Sequence, residues 1–290
     1  MERISETDLI LNEDGSVYHL NLLPEDVSDL VVLVGDPDRV GRVSQFFDRI
    51  ELKKGKREFI THTGHIGDRR LTVISTGIGT DNIDIVLNEL DALININLST
   101  RLPHPNPRNI DIIRIGTSGA LQPEIPVDSL LISSAALGLD ALMHYYKRTV
   151  SDNDDKLLKE FCSAIPTQYQ TKPYLATASE KLLAKFRYMA LSGITLTAPG
   201  FYSPQGRQVR GLSTIPDLLN LLIAFKSSDG KVLTNVEMET AGIYGLASVL
   251  GHNALSFNII LANRSTNKFS TNPVAIMDHF IEAILIKICS

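Results

Sequence analysis

The sequence contains few cysteines, and this limits its covalent chemistry. Its 290 residues include only Cys162 and Cys289, which cannot form a CxxC pair and are too few for a four-ligand zinc site. Small secreted domains held by disulfides carry a much denser set of cysteines. We therefore expect a protein of a reducing compartment, without a disulfide framework.

The sequence also lacks an excess of basic residues and any long apolar run. Its 28 Lys and Arg against 33 Asp and Glu give a formal net charge of −5 and a pI near 5.8, which argues against a nucleic-acid partner and confines any anion site to a local cluster. No segment reaches the about 18 apolar residues of a membrane span. The N-terminal MERISETDLILNEDG lacks the apolar core of a signal peptide. We expect a cytoplasmic protein with no membrane partner.

The composition is that of a globular protein. A hydrophobic share of 43% with 21% charged residues excludes disordered and low-complexity classes. A single hydrophobic core stops growing at roughly 250–300 residues, and no repeat or linker divides the chain. The sequence predicts one domain over residues 1–290.

Short apolar runs alternate with helical patterns, which predicts an α/β fold. The runs are typical of buried strands and cover residues 30–35, 71–76, 110–116, 129–135, 194–198 and 254–262. The helical patterns comprise a stripe of Ile83, Val86, Leu87, Leu90 and Ile94, a segment from Asp154 through Ile165, a helix from near Glu239 whose small residues let it lie close against a sheet, and one from about Val274. The proline-rich residues 100–109 predict a stiff surface loop.

Polar residues follow several of these strands. In open α/β sheets the ligand site lies outside the carboxyl ends of the strands. GDPDR follows the first strand, and we expect a tight turn at Gly35 and Pro37 whose amides face an anion, with Arg39 reaching back. A turn with an exposed Arg39 explains the same letters. STGIGTDN follows the second strand and leads into the Ile83 helix, whose N-terminus can hold a phosphate.

The third strand carries an arginine inside an apolar run. Because a buried unpaired charge is costly, Arg114 needs a partner, either an internal carboxylate or a bound anion. The strand then runs into GTSGAL, where Thr117 and Ser118 offer hydroxyl groups.

Two later segments fit a flat ring and a sugar. Phe201, Gln205 and Arg207 combine an aromatic face, an amide that donates and accepts, and a rigid guanidinium, which suits a heterocycle. A polar surface loop would have the same composition. Glu237 and Glu239 flank Met238, and alternate carboxylates can point to one side of an extended segment. They could grip vicinal hydroxyls or simply favour a helix N-terminus.

Three other site types are disfavoured. Asn82 occupies the third glycine position of GxGxxG, which argues against a nicotinamide-dependent dehydrogenase. Ala120 stands where the serine-hydrolase elbow needs its second glycine. His62 and His65 are too sparse for a metal site and are interpreted as ordinary loop histidines, so we predict no metal centre.

Taken together, these segments resemble the nucleoside phosphorylase I family, and within it the branch that acts on uridine. The likeness runs from about residue 19 to 266, and the motifs occur in the family's order: GDPDR, REF at 57–59, STGIG, RIGTSGA, FYSPQGR, VEMET and the pair Asn263 and Arg264. It implies a three-layer sandwich in which helices flank a central, mixed, twisted sheet, with residues 1–18 as an N-terminal extension.

The resemblance also implies roles for individual residues in the phosphorolysis of uridine to uracil and ribose 1-phosphate. Phosphate is a co-substrate, and no organic cofactor is implied. The implied phosphate ligands are Gly35, Arg39, Arg114, Thr117 and, from a neighbouring subunit, Arg57. The base-binding residues are Phe201, Gln205 and Arg207, and the ribose-binding residues are His19, Glu237, Met238 and Glu239. Arg114, Gln205 and Arg207 would carry the catalysis, with His19 serving the neighbouring subunit's substrate.

Several departures bear on specificity and assembly. Asn263 stands where purine-specific members carry an acidic residue, whereas FYSP and AGIYG are closer to the purine branch. A purine nucleoside phosphorylase, a hydrolytic nucleosidase or a nucleoside sensor of the same fold are therefore the alternatives. Asn82 replaces a serine that helps bind a monovalent cation between subunits in some members, which leaves that cation open. The implied assembly is a homodimer or a hexamer built from dimers.

Overall fold

The computed structural model describes residues 2–149, 151–165 and 172–290. Within them the chain forms thirteen strands and seven α-helices. The strands are β1 (Leu30–Val34), β2 (Arg49–Lys56), β3 (Phe59–Ile66), β4 (Arg69–Ser75), β5 (Ile96–Asn97), β6 (Leu102–Pro103), β7 (Asp111–Ala120), β8 (Leu130–Gly138), β9 (Tyr174–Thr177), β10 (Leu191–Thr197), β11 (Leu233–Glu237), β12 (Asn253–Asn263) and β13 (Lys268–Phe269). The helices are α1 (Pro37–Ser44), α2 (Thr80–Asn95), α3 (Asp152–Ala164), α4 (Glu180–Phe186), α5 (Leu218–Ala224), α6 (Thr240–Leu250) and α7 (Pro273–Cys289).

Eleven strands form one mixed sheet, as predicted. The order is β13-β12-β8-β10-β11-β7-β1-β4-β3-β2, with β9 beside β8. Strand β12 also pairs with β7, so β7, β12, β8, β10 and β11 close into a ring. The sheet therefore ends at strand β2 on one side and closes into a barrel-like ring on the other, a feature that the predicted layered sandwich does not include.

Helices cover both sides of this sheet, which confirms the flanked arrangement. One large apolar cluster packs α1, α2, α6 and α7 against β1, β4, β7 and β12. A second cluster joins α3 and α5 to β10 and β11. None of the helices in the described residues has the length and apolar character needed to cross a bilayer.

All six predicted strands are present, and the predicted stripe on α2 is buried. Helix α3 begins at Asp152, two residues before the predicted start, because Ser151 caps it by accepting a hydrogen bond from the Asp154 amide. Helix α6 packs against the sheet as predicted, and the Ala241 amide donates to the Thr197 hydroxyl of β10, but its two glycines face other neighbours. A Cβ on Gly242 would lie 2.8 Å from Thr80 of α2, and one on Gly245 would lie 2.6 Å from Met143, so both glycines admit neighbours other than the sheet.

Two further interpretations were wrong. GDPDR is not an isolated tight turn, because Asp36 caps α1 by accepting from the Asp38 amide at 3.0 Å and the helix starts at Pro37. His62 and His65 lie on strand β3, not in a loop. His62 pairs with the Ser44 hydroxyl at 2.7 Å, and His65 with the Glu51 carboxylate at 2.7 Å.

The hairpin of β2 and β3 was not predicted. Strand β2 is mostly exposed and polar, so it lacks the apolar run that revealed the others. The proline-rich segment is largely an exposed loop, as expected, although Leu102–Pro103 pairs with Ile96–Asn97. The Asn95 side chain fixes the loop by bonding the backbone of Arg108 through both of its amide atoms.

Candidate active site

A cavity of about 840 Å³ opens where the central strands end. Strands β1, β4 and β7 are parallel, so their carboxyl ends meet at one edge, as the strand-end rule predicts. Strand β11 reaches the same cavity through Glu237. The walls combine a cationic end, a pair of carboxylates, an aromatic and amide end, and an apolar floor.

The cationic end brings together the four phosphate residues predicted from this chain. Gly35, Arg39, Arg114 and Thr117 all line the cavity. Arg39 projects from the first turns of α1, and its Nη1 lies 3.4 Å from the Ile115 carbonyl. Burial lowers the pKa of Arg39, and the charge of Arg114 lowers it further. Two guanidinium groups that repel each other at one wall favour an anionic ligand.

Arg114 has internal carboxylate partners and also faces the cavity, so both predicted partner types remain compatible with it. Its side chain is 5% exposed, donates to Glu239 Oε2 and lies 3.1 Å from Glu237 Oε2. Burial alone lowers the pKa of Arg114, but the charges of Glu237 and Glu239 outweigh this and raise it. The guanidinium is therefore permanently charged.

Glu237 is committed to internal contacts. It accepts from the Thr197 hydroxyl at 2.6 Å, from the Glu239 amide at 3.0 Å, and from the amide and hydroxyl of Thr240. These contacts satisfy the first amides of α6. Glu237 thus fixes the backbone turn that presents Glu239, although it also borders the cavity.

Glu239 is held from two sides. Its Oε1 accepts from the Gly79 amide at 2.8 Å, and its Oε2 accepts from Arg114. Burial is the main reason that the pKa of Glu239 is raised, and the nearby Glu237 adds to it, while Arg114 opposes the shift. Glu239 lines the cavity, and each of its oxygens accepts only one of these bonds, so lone pairs remain to accept hydrogen bonds from hydroxyl groups.

The lining of the same cavity also contains the predicted base-binding residues. The Arg207 guanidinium lies 3.8 Å above the Phe201 ring and donates to Gln205 Oε1 and to the Phe201 carbonyl. Gln205 ends a 3₁₀ turn and is buried. Burial lowers the pKa of Arg207 to about 10, with a further contribution from Arg264, so it stays protonated at neutral pH. The amide and guanidinium form one preassembled polar edge.

Gly206 makes this edge possible. Its φ of 71° lies in the left-handed region, and a Cβ there would come within 2.8 Å of the Leu219 backbone nitrogen. Only glycine fits such a position without strain. The residue between Gln205 and Arg207 therefore sets their relative orientation.

The structure adds wall residues that the sequence did not reveal. The predicted Met238 lies in the cavity beside Val236, Leu261, Ala262 and Phe269, which form an apolar floor. Glu58, Ile78 and Asn82 also line the cavity. Glu58 belongs to the REF motif, which could have signalled it. Leu261 and Ala262 belong to a strand whose buried pattern carries no functional signal.

His19 and Arg57 do not line this cavity. His19 Nδ1 lies 2.6 Å from Glu89 Oε1, and its ring contacts Tyr18. Arg57 occupies the turn between β2 and β3 with a φ of 57°, 5.9 Å from the centre of the Tyr18 ring. The two side chains thus share a patch around Tyr18, outside the cavity of their own chain.

Asn263 also stays out of the cavity. Its Nδ2 donates to the carbonyls of Gln122 and Ile125. Its Oδ1 accepts from the backbone amides of Ser265 and Thr266. Its amide is fully used in holding the chain after β12. Within the described ranges no group of three or more His, Cys, Asp or Glu is placed to hold a metal ion, and the monovalent cation at a subunit interface stays a prediction.

Comparison with known proteins agrees with this geometry. The family described as the phosphorylase superfamily matches residues 29–283. A uridine phosphorylase from Thermococcus kodakarensis is 31% identical, over 93% of this chain and 85% of the relative. A DeoD-type purine nucleoside phosphorylase from Buchnera aphidicola is 26% identical, over 87% of this chain and 89% of the relative.

A solved structure shares the whole fold. The crystal structure of a Trypanosoma brucei nucleoside phosphorylase, described as showing uridine phosphorylase activity, superposes with a TM-score of 0.89 at 28% identity. The match covers 97% of this chain and 99% of that one. The ring of strands and its flanking helices are therefore a known arrangement.

Proposed function

This chain belongs to the phosphorylase superfamily, and we propose that it is a pentosyltransferase catalysing the reversible phosphorolysis of uridine to uracil and ribose 1-phosphate. One observation carries the proposal. A single cavity is lined by the guanidinium groups of Arg39 and Arg114 with Gly35 and Thr117, and also by the Gln205 and Arg207 edge beside Phe201. The same cavity thus offers groups that suit an oxyanion and groups that suit a flat heterocycle, as phosphate placed against the sugar of a nucleoside requires.

Phosphate supplies the nucleophile in this reaction. Arg39, Arg114 and Thr117 would hold it against the anomeric carbon, which converts binding energy into orientation. As the glycosidic bond stretches, the sugar gains oxocarbenium character, as in glycoside hydrolysis. Glu239 would accept the 2′ and 3′ hydroxyls and lies beside this developing positive charge. No second carboxylate is required as nucleophile.

The departing base gains negative charge. Arg207 and Gln205 would bind the uracil carbonyl and N–H groups, and the charge-assisted bond from Arg207 strengthens as the anion forms. Met238 and Phe201 would contact the sugar and the flat face of the ring. Catalysis at this end is therefore electrostatic and does not need an acid that protonates the base.

The proposal includes a homodimer as the minimum unit, with a hexamer built from three such dimers as the larger form. His19 and Arg57 lie together outside their own cavity, where they would reach the site of a neighbouring copy: Arg57 its phosphate, and His19 its 5′ hydroxyl. The remaining parts of the proposal are a role in pyrimidine salvage and nucleoside catabolism and a cytoplasmic location. The free thiols of Cys162 and Cys289 fit a reducing compartment.

One assay tests the proposal against its alternatives. Release of free base is measured from uridine, inosine and thymidine, each with and without phosphate. Phosphate-dependent release from uridine is expected. Preferential release from inosine would replace the assignment with a purine nucleoside phosphorylase, and release that ignores phosphate would replace it with a hydrolytic nucleosidase.

A further inference from the structure

The ring of strands β7, β12, β8, β10 and β11 has a polar interior. Ser133, Thr195, Asn235 and Asn258 project from four of these strands, and each residue is 0% exposed. Burying polar groups is unfavourable unless each is hydrogen-bonded, and apolar residues would fill the space at less cost. The polar set therefore requires an explanation beyond packing.

These side chains form one continuous series of hydrogen bonds, which we call the relay. Arg114 Nη1 donates to Asn258 Oδ1 at 3.3 Å, and Asn258 Nδ2 donates to Ser133 Oγ at 2.9 Å. Ser133 Oγ lies 2.5 Å from Thr195 Oγ1, which donates to Asn235 Oδ1 at 2.9 Å. The relay consists of Asn258, Ser133, Thr195 and Asn235.

The direction of every bond follows from its first member. A guanidinium has no acceptor, so Asn258 must turn its oxygen toward Arg114 and its N–H toward Ser133. Thr195 spends its proton on the Asn235 oxygen, so Ser133 must donate to Thr195. Asn235 is then left with its N–H group, which donates to Ser118 Oγ at 2.9 Å. All donors point from Arg114 toward Ser118.

Ser118 returns the relay to the cavity. It lines the cavity wall and lies on the same face of β7 as Arg114, two positions beyond Gly116. A Cβ on Gly116 would lie 1.9 Å from Arg114 Nη1, so the absence of a side chain at Gly116 lets the Arg114 guanidinium lie along this face of the strand. The Ser118 oxygen already accepts from Asn235, and no acceptor for its proton is found among residues 2–149, 151–165 and 172–290.

We propose that Asn258, Ser133, Thr195 and Asn235 are positioning residues, which hold the Ser118 hydroxyl as a donor to an oxygen atom of the bound ligand. The inference rests on the proposed function and adds the residues that orient this contact. The acceptor carries negative charge or gains it during the reaction, and it belongs either to phosphate or to a carbonyl of the base. Bonds in a directional series polarise one another, so the last donor is strengthened.

The test is a double-mutant cycle. Thr195→Val keeps the shape of the side chain and breaks the relay, and Ser118→Ala removes its last donor. A hydrogen bond to a charged acceptor corresponds to about 10- to 100-fold, so we expect Ser118→Ala to lower kcat/KM for phosphorolysis by about that factor and Thr195→Val by several-fold. In the Ser118→Ala background, Thr195→Val should have no further effect, because the residue through which it acts is gone.

Matched controls separate this role from folding. Ser134→Ala removes a hydroxyl that donates to the Gly193 carbonyl at 3.0 Å, one residue from Ser133 on the same strand, and it should keep wild-type kinetics because it leaves every bond of the relay intact. Thr195→Ser keeps the hydroxyl and should therefore have close to wild-type activity, unlike Thr195→Val. Ser133→Ala breaks the relay by removing one oxygen atom, and it replaces Thr195→Val if that variant does not fold.

Calorimetry on the same variants identifies the acceptor. If the variants bind inorganic phosphate more weakly but uracil normally, the Ser118 contact belongs to phosphate. If they bind uracil more weakly but phosphate normally, it belongs to the base. Additive effects of Thr195→Val and Ser118→Ala, or unchanged kinetics and binding in Ser118→Ala, would overturn the relay. A wild-type protein that releases no base from uridine with phosphate would refute the proposed function instead, and the binding cycle would still test the relay.

Discussion

Replacing Arg207 by alanine tests the base end of the site directly. The change removes the guanidinium that contacts Gln205 and the Phe201 ring and leaves the cationic end untouched. Loss of one preorganised donor to a developing anion lowers kcat by roughly 10²–10³, or about 2.7–4 kcal/mol. We expect a fall of that size in the phosphorolysis of uridine, with little change in the KM for phosphate.

The loss of folding stability should be much smaller than the loss of activity. Arg207 is only partly buried, and its contact with Phe201 corresponds to about 0.5–1 kcal/mol. The substitution also leaves the Gln205 side-chain oxygen without its donor Arg207, but Gln205 lines the cavity. Unfolding by urea should therefore show a shift of about 1 kcal/mol. This gap between kinetic and thermodynamic effects distinguishes transition-state stabilisation from general damage.

The leaving group provides the sharper assay. A 5-fluorinated uridine releases a more acidic base, whose anion needs less help from the protein. The ratio of wild-type to Arg207→Ala rates should therefore be smaller for this substrate than for uridine, and Arg207→Lys should fall between the two proteins because it keeps the charge but loses the fork. Equal uridine turnover in Arg207→Ala, or a rate ratio independent of base acidity, would refute the reasoning.

The carboxylate pair and the subunit contact give three further predictions. Arg114→Met should lower the free energy of unfolding by about 3–5 kcal/mol in urea titrations, because it leaves Glu237 and Glu239 without their counter-charge; a loss below 1 kcal/mol would contradict the buried pairing. The raised pKa of Glu239 means that the folded protein binds its proton more tightly than the unfolded chain does, so this group contributes stability below its ordinary pKa that is lost as pH rises through the folded value. Urea titrations from the ordinary pKa of a glutamate up to the raised pKa of Glu239 should show the wild type losing stability relative to Glu239→Gln as pH rises. Parallel stability curves for the two proteins would count against this assignment. Mixing Arg57→Ala with Arg39→Ala should restore about a quarter of the wild-type rate, because half of the dimers are hybrids with one intact site; no recovery after proven subunit exchange would exclude the shared site.

Much of the fold was accessible from the sequence because buried strands leave a direct trace. The six apolar runs are strands in which nearly every residue is buried, and such strands need no partner to be recognised. Strand β2 leaves no such trace, since its residues face solvent and its pairing with β3 depends on a turn with Arg57 at positive φ. The closure of the ring was likewise invisible, because it depends on β12 pairing on both of its edges.

Most candidate residues were recognised from their positions after strands, whereas their individual roles came only from the family resemblance. From the letters alone Glu237 and Glu239 were equivalent, whereas the fold gives Glu237 the amides of α6 and gives Glu239 the cavity face beside Arg114. Arg114 required a partner on energetic grounds, and only the pairing of β11 with β7 revealed that Glu237 and Glu239 lie beside it. Residue chemistry is local, while the identity of a contact depends on distant segments.

The sequence by itself determined which groups were available: an arginine inside an apolar strand, a glycine turn after another strand, and an amide and guanidinium two residues apart. These are constraints of burial and backbone conformation that act within a few residues. The tertiary structure alone decided that they face one cavity, that His19 and Arg57 lie outside it, and that a polar series crosses the interior of the ring to Ser118. The polar series and its link to Arg114 join residues up to 144 positions apart, which only the pairing of strands brings within hydrogen-bonding distance.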